Sequence, residues 1–169
     1  MIILGIDPGT ATTGFAIIQG HKGGQRPKVI DFGCIITDKT EENGKRLDII
    51  HQEVASLIKK HKPHVMAIES LYFFKNLKTV MPVSQAKGVV LLAAAQKHIP
   101  VLEFTPLQVK MSVVGYGRAE KKQVQKMAQE LLDLSSFDFK EKNRKRDDAA
   151  DALGIALCGF IHSFSFKTP

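Results

Sequence analysis

The stretch Ile2–Thr10, which reads IILGIDPGT, decides the fold. Its apolar and largely β-branched first half is typical of a short buried strand that ends at Asp7, and the Pro-Gly-Thr sequence after it favours a turn. Gly14–Gln19 predicts a second strand, and the glycine-rich segment 20–27 predicts a hairpin loop. Val29–Thr37 predicts a third strand, so the chain begins as a three-stranded meander.

Helical and extended patterns alternate along the rest of the chain. Residues 41–61 place apolar side chains at helical spacing, and Pro63 ends that helix. The aromatic and basic stretch Leu71–Lys78 has no clear period and predicts a surface loop. The other predicted elements are strands over Val65–Glu69 and Pro100–Phe104 and helices over Val83–His98, Pro106–Val114, Glu120–Leu134 and Asp147–Ile161. This order predicts one α/β domain, residues 1–169, with a mixed five-stranded sheet and helices on both faces.

The chain is basic, with 24 Lys and Arg against 17 Asp and Glu and a formal net charge of +7. A basic surplus on a small domain favours a polyanionic partner, because phosphate neutralisation supplies most of the non-specific affinity for nucleic acids. Charge alone is equally compatible with a basic protein that binds no nucleic acid.

The cysteines and the hydropathy of the sequence indicate the cellular compartment in which we expect the protein. Cys34 and Cys158 fit neither a metal-binding pattern nor a disulfide framework, so we expect two reduced core thiols. The opening residues carry no basic leader and meet Asp7 early, so we expect no signal peptide, and the longest apolar runs are far shorter than the ~20 residues of a membrane span. We therefore expect a cytoplasmic protein without membrane contact.

Acidic residues stand at positions where a carboxylate is costly unless it is solvated, paired or bound to a metal. Asp7 and Glu69 each end an apolar strand. Either one alone is also explained as the cap of a turn, but neighbouring parallel strands bring two such acids side by side. Asp148 and Asp151 are three residues apart and share one face of a predicted helix. A capping role suits Asp147 and also fits Asp148, but Asp151 lies a full turn inside the helix.

Four carboxylates at one point repel one another, which raises their pKa values and favours bound cations. A cluster of oxygen ligands suits Mg²⁺ or Mn²⁺, whereas this sequence has no Cys and His cluster for zinc. We expect two Mg²⁺ ions per site, with Mn²⁺ as a substitute. Two ions about 3.5–4 Å apart can activate a water molecule and stabilise the leaving oxygen of a phosphodiester.

Four blocks of the sequence resemble the RuvC family of bacterial Holliday-junction resolvases. They are Ile3–Ala16, Ala67–Glu69 with the aromatic residues after it, Pro106–Gln125, and the DAADAL motif of Asp148–Leu153. The blocks occur in order over nearly the whole chain. The resemblance implies a ribonuclease H-like fold, a homodimer, and Mg²⁺-dependent paired nicking of four-way DNA junctions. It leaves open whether branch-migration helicase proteins assist.

The resemblance also implies roles for individual residues. Lys110 and Lys121 fall where family lysines contact DNA phosphate near the cleavage site, with a solvated lysine as the ordinary alternative, and Lys121 is also a candidate catalytic residue. The catalytic metal ligands implied by position are Asp7, Glu69, Asp148 and Asp151. Glu120 is interpreted as a helix-start residue rather than a ligand.

Further segments carry more open predictions. The resemblance places one of Tyr72, Phe73 and Phe74 against junction bases, where stacking contributes roughly 1–3 kcal/mol, with core packing as the alternative. Lys140–Arg146 has more basic residues than the family pattern leads us to expect, and is either an extra phosphate-binding loop or a solvated connection. The apolar helix around Val83–Ala95 is either the dimer face or entirely core.

Other functions compete with junction resolution. An actin-like ATPase or sugar kinase also opens with a strand, an Asp and a Gly-Thr turn, but it needs two domains and leaves Asp148 and Asp151 unexplained. Another ribonuclease H-like nuclease shares the chemistry and differs only in substrate, such as an RNA–DNA hybrid. A non-cutting module for branched DNA has no use for four convergent carboxylates.

Overall fold

The computed structural model describes residues 1–20, 23, 25–70, 77–135, 137 and 147–165. Within these residues the chain forms five strands and five helices. The strands are β1 (Ile2–Asp7), β2 (Thr12–Gln19), β3 (Lys28–Ile36), β4 (Val65–Glu69) and β5 (Val101–Phe104). The helices are α1 (Asn43–His61), α2 (Leu77–Gln96), α3 (Pro106–Val114), α4 (Lys121–Leu131) and α5 (Asp147–Ser165).

The strands form one mixed sheet in the order β3-β2-β1-β4-β5. The first three pair antiparallel as the predicted meander, and β4 and β5 add parallel strands on the other side of β1. The α/β prediction with a mixed five-stranded sheet is therefore confirmed. The topology places β1 at the centre, so both of its neighbours can contribute residues to a site at its carboxyl end.

The sheet separates two hydrophobic cores, because successive side chains of a strand point to opposite faces. Ile3 and Ala67 pack with residues of α3, α4 and α5, whereas Leu4 and Met66 pack with residues of α1 and α2. Helices thus cover both faces, as predicted. Because β1 and β4 are buried on both sides, their sequences are continuous apolar runs rather than alternating ones.

Helix α5 lies unusually close to the sheet, because two strand glycines face it. A Cβ atom added to Gly5 would lie 2.6 Å from the carbonyl oxygen of Ala152, and one added to Gly14 would collide with the carbonyl of Asp148. The buried alanines Ala149 and Ala152 complete this contact. The absence of side chains at Gly5 and Gly14 sets the distance between the first turns of α5 and the end of β1.

The observed start of helix α2 differs from two sequence predictions, the start of this helix and the end of the loop before it. The alanine- and leucine-rich pattern predicts a start at Val83, one residue after Pro82, and a proline inside a helix costs one hydrogen bond and crowds the preceding turn. The helix instead begins at Leu77 and continues through Pro82. Burial of Ala86, Val90 and other residues farther along the helix against α1 and the sheet offsets this local cost. The surface-loop prediction for Leu71–Lys78 is wrong for its last two residues, and residues 71–76 lie outside the described part.

Helix α4 ends earlier than its predicted limit of Leu134. The chain leaves the helix after Leu131 and becomes extended, so that the backbone N–H of Asp133 donates to Pro27 and its carbonyl accepts from Val29. Both hydrogen bonds join residues more than 100 positions apart in the sequence, so the local helical pattern gives no sign of them. The α3 start is as predicted, since the Thr105 hydroxyl accepts from the backbone N–H of Gln108.

Both cysteines are buried thiols, as predicted for Cys34 and Cys158. Burial raises the pKa of the Cys158 thiol to about 11, so this side chain stays protonated at neutral pH. Among the described residues, no helix has the length and apolar character that crossing a membrane requires.

Candidate active site

Two acids meet where the parallel strands β1 and β4 end. Asp7 is the last residue of β1 and Glu69 the last residue of β4. Their preceding residues, Ile6 and Ile68, are paired in the parallel register and both point toward α1 and α2. Alternation therefore turns the side chains of Asp7 and Glu69 to the opposite face, toward α5.

The first turns of α5 bring two further acids to the same place. Asp148 lies in the first turn and Asp151 one turn farther along, as the three-residue spacing predicts. Close packing of α5 on Gly14 sets the position of this helix end above β1 and β2. The structure thus places the acids from β1, β4 and α5 at one edge of the sheet.

The pKa values of the strand acids record this crowding. Burial, as the largest cause, and the negative charges of Glu69, Asp151 and Asp148 together raise the pKa of Asp7 from 3.8 to about 8, against a smaller lowering effect of Lys121. Burial and the charge of Asp151 also raise the pKa of Glu69, against the lowering effect of Lys121 and Lys110. The four acids therefore form one electrostatically coupled cluster.

Two side chains from α4 hold the carboxylate of Asp151. The Lys121 ammonium lies 2.6 Å from Oδ2, and the Gln125 amide donates to Oδ1 over 2.9 Å. Burial lowers the pKa of Lys121, but its hydrogen bond to Asp151 and the charges of Asp151, Asp147 and Asp7 leave it above the usual value. Lys121 therefore stays charged and neutralises part of the cluster.

A cavity of about 260 Å³ opens beside the acids. Its charged lining is formed by Glu69, Asp151, Lys110 and Lys121, and its apolar lining by Pro106, Val109, Val124 and Ile155. The sequence prediction had placed both lysines near the acids, and the structure brings them there. Acids and lysines around one cavity can bind a phosphate together with cations.

The donor set fits a hard divalent cation in chemistry, since it consists of carboxylate oxygens that repel one another until a cation arrives. Across the described residues, however, no group of three or more His, Cys, Asp and Glu side chains is arranged closely enough to hold a metal ion. Asp151 gives one reason, because both of its oxygens already have partners on α4. Coordination by all four acids requires Asp151 to exchange Lys121 for the metal.

The other predicted residues fall in two groups, helix-start acids and residues outside the described part of the chain. Asp147 is exposed in the first turn of α5, where an acid suits the helix dipole, and Glu120 is the N-cap of α4, as expected for a helix-start residue. Tyr72, Phe73 and Phe74 lie outside the described residues, and so does the basic stretch Lys140–Arg146.

Sequence reasoning missed Gln125. A glutamine is an unremarkable residue in an amphipathic helix, and no motif marks it. A signal was nevertheless present, because Gln125 lies four residues after Lys121 and therefore on the same face of α4. What could not be predicted is that this face meets Asp151.

A model of the RuvC family, described as crossover junction endodeoxyribonuclease RuvC, matches residues 3–159. The chain belongs to the RuvC family. The four resembling blocks identified in the sequence all begin within the matched range, and the four acids lie inside it. The ribonuclease H-like fold expected for a RuvC protein is confirmed by the sheet and by the structural neighbours.

Relatives with the same family name cover almost the whole chain. The crossover junction endodeoxyribonuclease RuvC of Halothermothrix orenii is 48% identical over 167 residues, which is 99% of this chain and 94% of the relative. The RuvC of Fusobacterium nucleatum is 47% identical over 157 residues, which is 93% of this chain and 78% of the relative.

A solved RuvC structure matches the three-dimensional arrangement. The RuvC of Thermus thermophilus in complex with a Holliday junction substrate has a TM-score of 0.85 and 28% identity, covering 96% of this chain and 94% of the solved one. RuvC proteins are metal-dependent nucleases.

Proposed function

We propose that this RuvC-family protein resolves four-way DNA junctions by nicking two symmetry-related strands through metal-dependent hydrolysis of phosphodiester bonds. The observation that carries the proposal is the coupling of Asp7, Glu69, Asp148 and Asp151 at the edge of the sheet. Family membership supplies the substrate class, since the related Thermus thermophilus RuvC has been solved with a Holliday junction. We place the reaction in the cytoplasm.

In this proposal the four acids are the ligands of two Mg²⁺ ions, with Mn²⁺ as a substitute. Bound ions would activate water and stabilise the leaving oxygen. The protein's own contribution is to hold four carboxylates in a half-buried site where their mutual repulsion disfavours the cation-free state. The raised pKa values of Asp7 and Glu69 support this view, because burial first and then the charges of neighbouring acids disfavour their ionised forms.

The cavity lysines bind the DNA strand that is to be cut. Lys110 and Lys121 line the same cavity as Glu69 and Asp151, so a phosphate that enters it meets two ammonium groups. Lys121 also contributes to catalysis, since its charge lies beside Asp151 at the cluster. An aromatic ring from Tyr72–Phe74 stacks on a junction base in this proposal, by position in the family pattern.

A second copy of the chain is needed, because one carboxylate cluster makes one cut and resolution requires two. Helix α2 exposes Met81, Gly88 and Leu92 along one side, with exposed fractions of 66% and 50% for Met81 and Leu92. We propose this side as the homodimer face. Leu92→Glu should convert the dimer to monomers in sedimentation velocity, whereas the matched variant Leu107→Glu on exposed α3 should leave the dimer intact. Branch-migration helicase proteins are proposed as further partners on the DNA.

The deciding experiment compares a synthetic four-way junction with a linear duplex of the same sequence, in Mg²⁺ and in EDTA. We expect paired, symmetric nicks in the junction alone, and only with Mg²⁺. Asp7→Asn should abolish cleavage and keep junction binding, and above the Asp7 pKa of about 8 it should tighten binding, because it then removes a negative charge beside phosphate. Asp147→Asn, which removes an exposed acid next to the cluster, should cut at the normal rate.

Other outcomes separate the alternatives. Faster cutting of an RNA–DNA hybrid than of the junction would indicate a different ribonuclease H-like nuclease. Junction binding without cutting in either Mg²⁺ or Mn²⁺ would contradict the enzymatic proposal. Loss of binding together with cleavage in Asp7→Asn would contradict the metal-ligand role of Asp7.

A further inference from the structure

Helix α4 contacts the acidic cluster through two side chains that bind different oxygens of one carboxylate. Lys121 and Gln125 are four residues apart and project from the same face of α4. The charged Lys121 ammonium binds Oδ2 of Asp151, and the neutral Gln125 amide binds Oδ1. The two contacts differ in charge, because a metal cation near Asp151 would repel the Lys121 ammonium but not the neutral Gln125 amide.

The Gln125 amide also reaches the backbone of α5. Its Nε2 atom lies 3.4 Å from the carbonyl oxygen of Asp147, in addition to 2.9 Å from Asp151 Oδ1. These two acceptors are one helical turn apart, and Asp148 lies between them in the sequence. A single amide therefore ties together the turn of α5 that presents both Asp148 and Asp151.

We propose that Gln125 is a positioning residue of the metal site. It fixes the side-chain orientation of Asp151 through Oδ1 and so leaves Oδ2 available to a cation. In the metal-free protein that cation is the Lys121 ammonium. A divalent metal held by the acids would take the place of the Lys121 ammonium at Oδ2 and leave Lys121 free for DNA phosphate, whereas Gln125 would keep its hydrogen bond to Oδ1. The inference rests on the metal site proposed above.

The chemistry of the side chain explains why a glutamine suits this position. A second lysine at 125 would add a competing positive charge, and a glutamate would add a fifth negative charge to a cluster that already raises the pKa of Asp7. An amide donates a hydrogen bond without changing the charge. Hydrogen bonds from an outer residue to a metal-ligating carboxylate commonly contribute about 10- to 100-fold in metal affinity.

The test measures Mn²⁺ binding in the absence of DNA, from the electron paramagnetic resonance signal of free Mn²⁺. Gln125→Met keeps the length of the side chain and removes the donor, and Gln125→Ala removes the donor with a different change in packing. We expect both variants to bind Mn²⁺ about 10-fold more weakly. The matched control is Gln129→Met, on the exposed next turn of α4, which should bind Mn²⁺ as the unmodified protein does.

Two further readouts separate positioning from a structural role. Junction affinity in EDTA should be unchanged in the Gln125 variants, and their cleavage rate should recover toward normal at saturating Mn²⁺. A Mn²⁺ affinity within twofold of the unmodified protein in both Gln125 variants would overturn the inference. If Asp7→Asn binds Mn²⁺ as well as the unmodified protein, the proposed metal site itself fails, and this inference fails with it.

Discussion

Replacement of Asp7 by Asn should stabilise the metal-free protein, and the gain should depend on pH. The pKa of Asp7 rises from 3.8 to about 8 in the fold, first through burial and then through Glu69, Asp151 and Asp148. At a pH between these two pKa values, the Asp7 carboxyl has lost its proton in the unfolded chain but still carries it in the folded chain. The folded state binds more protons there, so stability falls as pH rises. The loss of folding stability caused by ionisation of Asp7 is absent below about pH 3.8 and complete above about pH 8.

The pKa difference sets the size of the effect. Each tenfold change in proton affinity corresponds to 1.36 kcal/mol, so a rise from 3.8 to about 8 gives an upper bound of about 6 kcal/mol at pH 8. Water penetration and relaxation of the acids reduce this bound, and we expect about 2–4 kcal/mol. For a chain of this length each kcal/mol shifts the unfolding midpoint by roughly 2–4 °C. Asp7→Asn should therefore raise the midpoint by about 5–15 °C at pH 8.

The assay is thermal unfolding in EDTA, followed by circular dichroism from pH 5 to pH 8.5. The control is Asp147→Asn, which removes an equal charge from an exposed position of α5. We expect the Asp7→Asn gain to shrink steadily as pH falls and the control to show almost no gain. An Asp7→Asn midpoint at or below that of the unmodified protein at pH 8 would refute the reasoning. A gain that stays constant over the pH range would refute it as well.

Two other predictions follow from the packing and the charges of the site. Lys121→Ala should slow cleavage and lower the slope of log affinity against log salt by about 1, measured by junction binding at several salt concentrations, because one phosphate contact is lost; an unchanged rate would assign Lys121 to solvent. Gly5→Ala should lower the free energy of unfolding by about 3 kcal/mol in urea titration, since its new Cβ would lie 2.6 Å from the Ala152 carbonyl. Gly44→Ala, where nothing lies within 4 Å of the added atom, serves as its control, and equal effects of the two would contradict the packing argument.

Much of the site was predictable because its acids interrupt strong local patterns. Asp7 and Glu69 end apolar strands, and parallel strands align their carboxyl ends, so their proximity follows from the topology. Asp148 and Asp151 share a helix face by spacing alone. The fold was predictable for the same reason, since most strands and helices have clear hydrophobic periods and start or end at turn residues.

The remaining features depend on contacts between distant segments. The end of α4 is set by two backbone hydrogen bonds that no local pattern encodes: the Asp133 N–H donates to the Pro27 carbonyl, and the Val29 N–H donates to the Asp133 carbonyl. The continuation of α2 through Pro82 depends on burial of the later turns of the helix. The role of Gln125 depends on the way α4 crosses α5. In each case tertiary packing decides between local alternatives that the sequence leaves nearly equal.

The close packing of α5 leads to a final prediction about metal ions. Because the backbone of α5 lies directly on Gly5 and Gly14, the acids cannot move apart without exposing the buried alanines of the helix. When all the acids are ionised, we therefore expect their repulsion to be relieved by a bound cation rather than by movement of the helix. Mg²⁺ at 100 times its dissociation constant should stabilise the protein by about 2.7 kcal/mol, seen as a higher unfolding midpoint. Asp7→Asn should lose most of this rise, and an equal rise in both proteins would show that Mg²⁺ binds elsewhere on the chain.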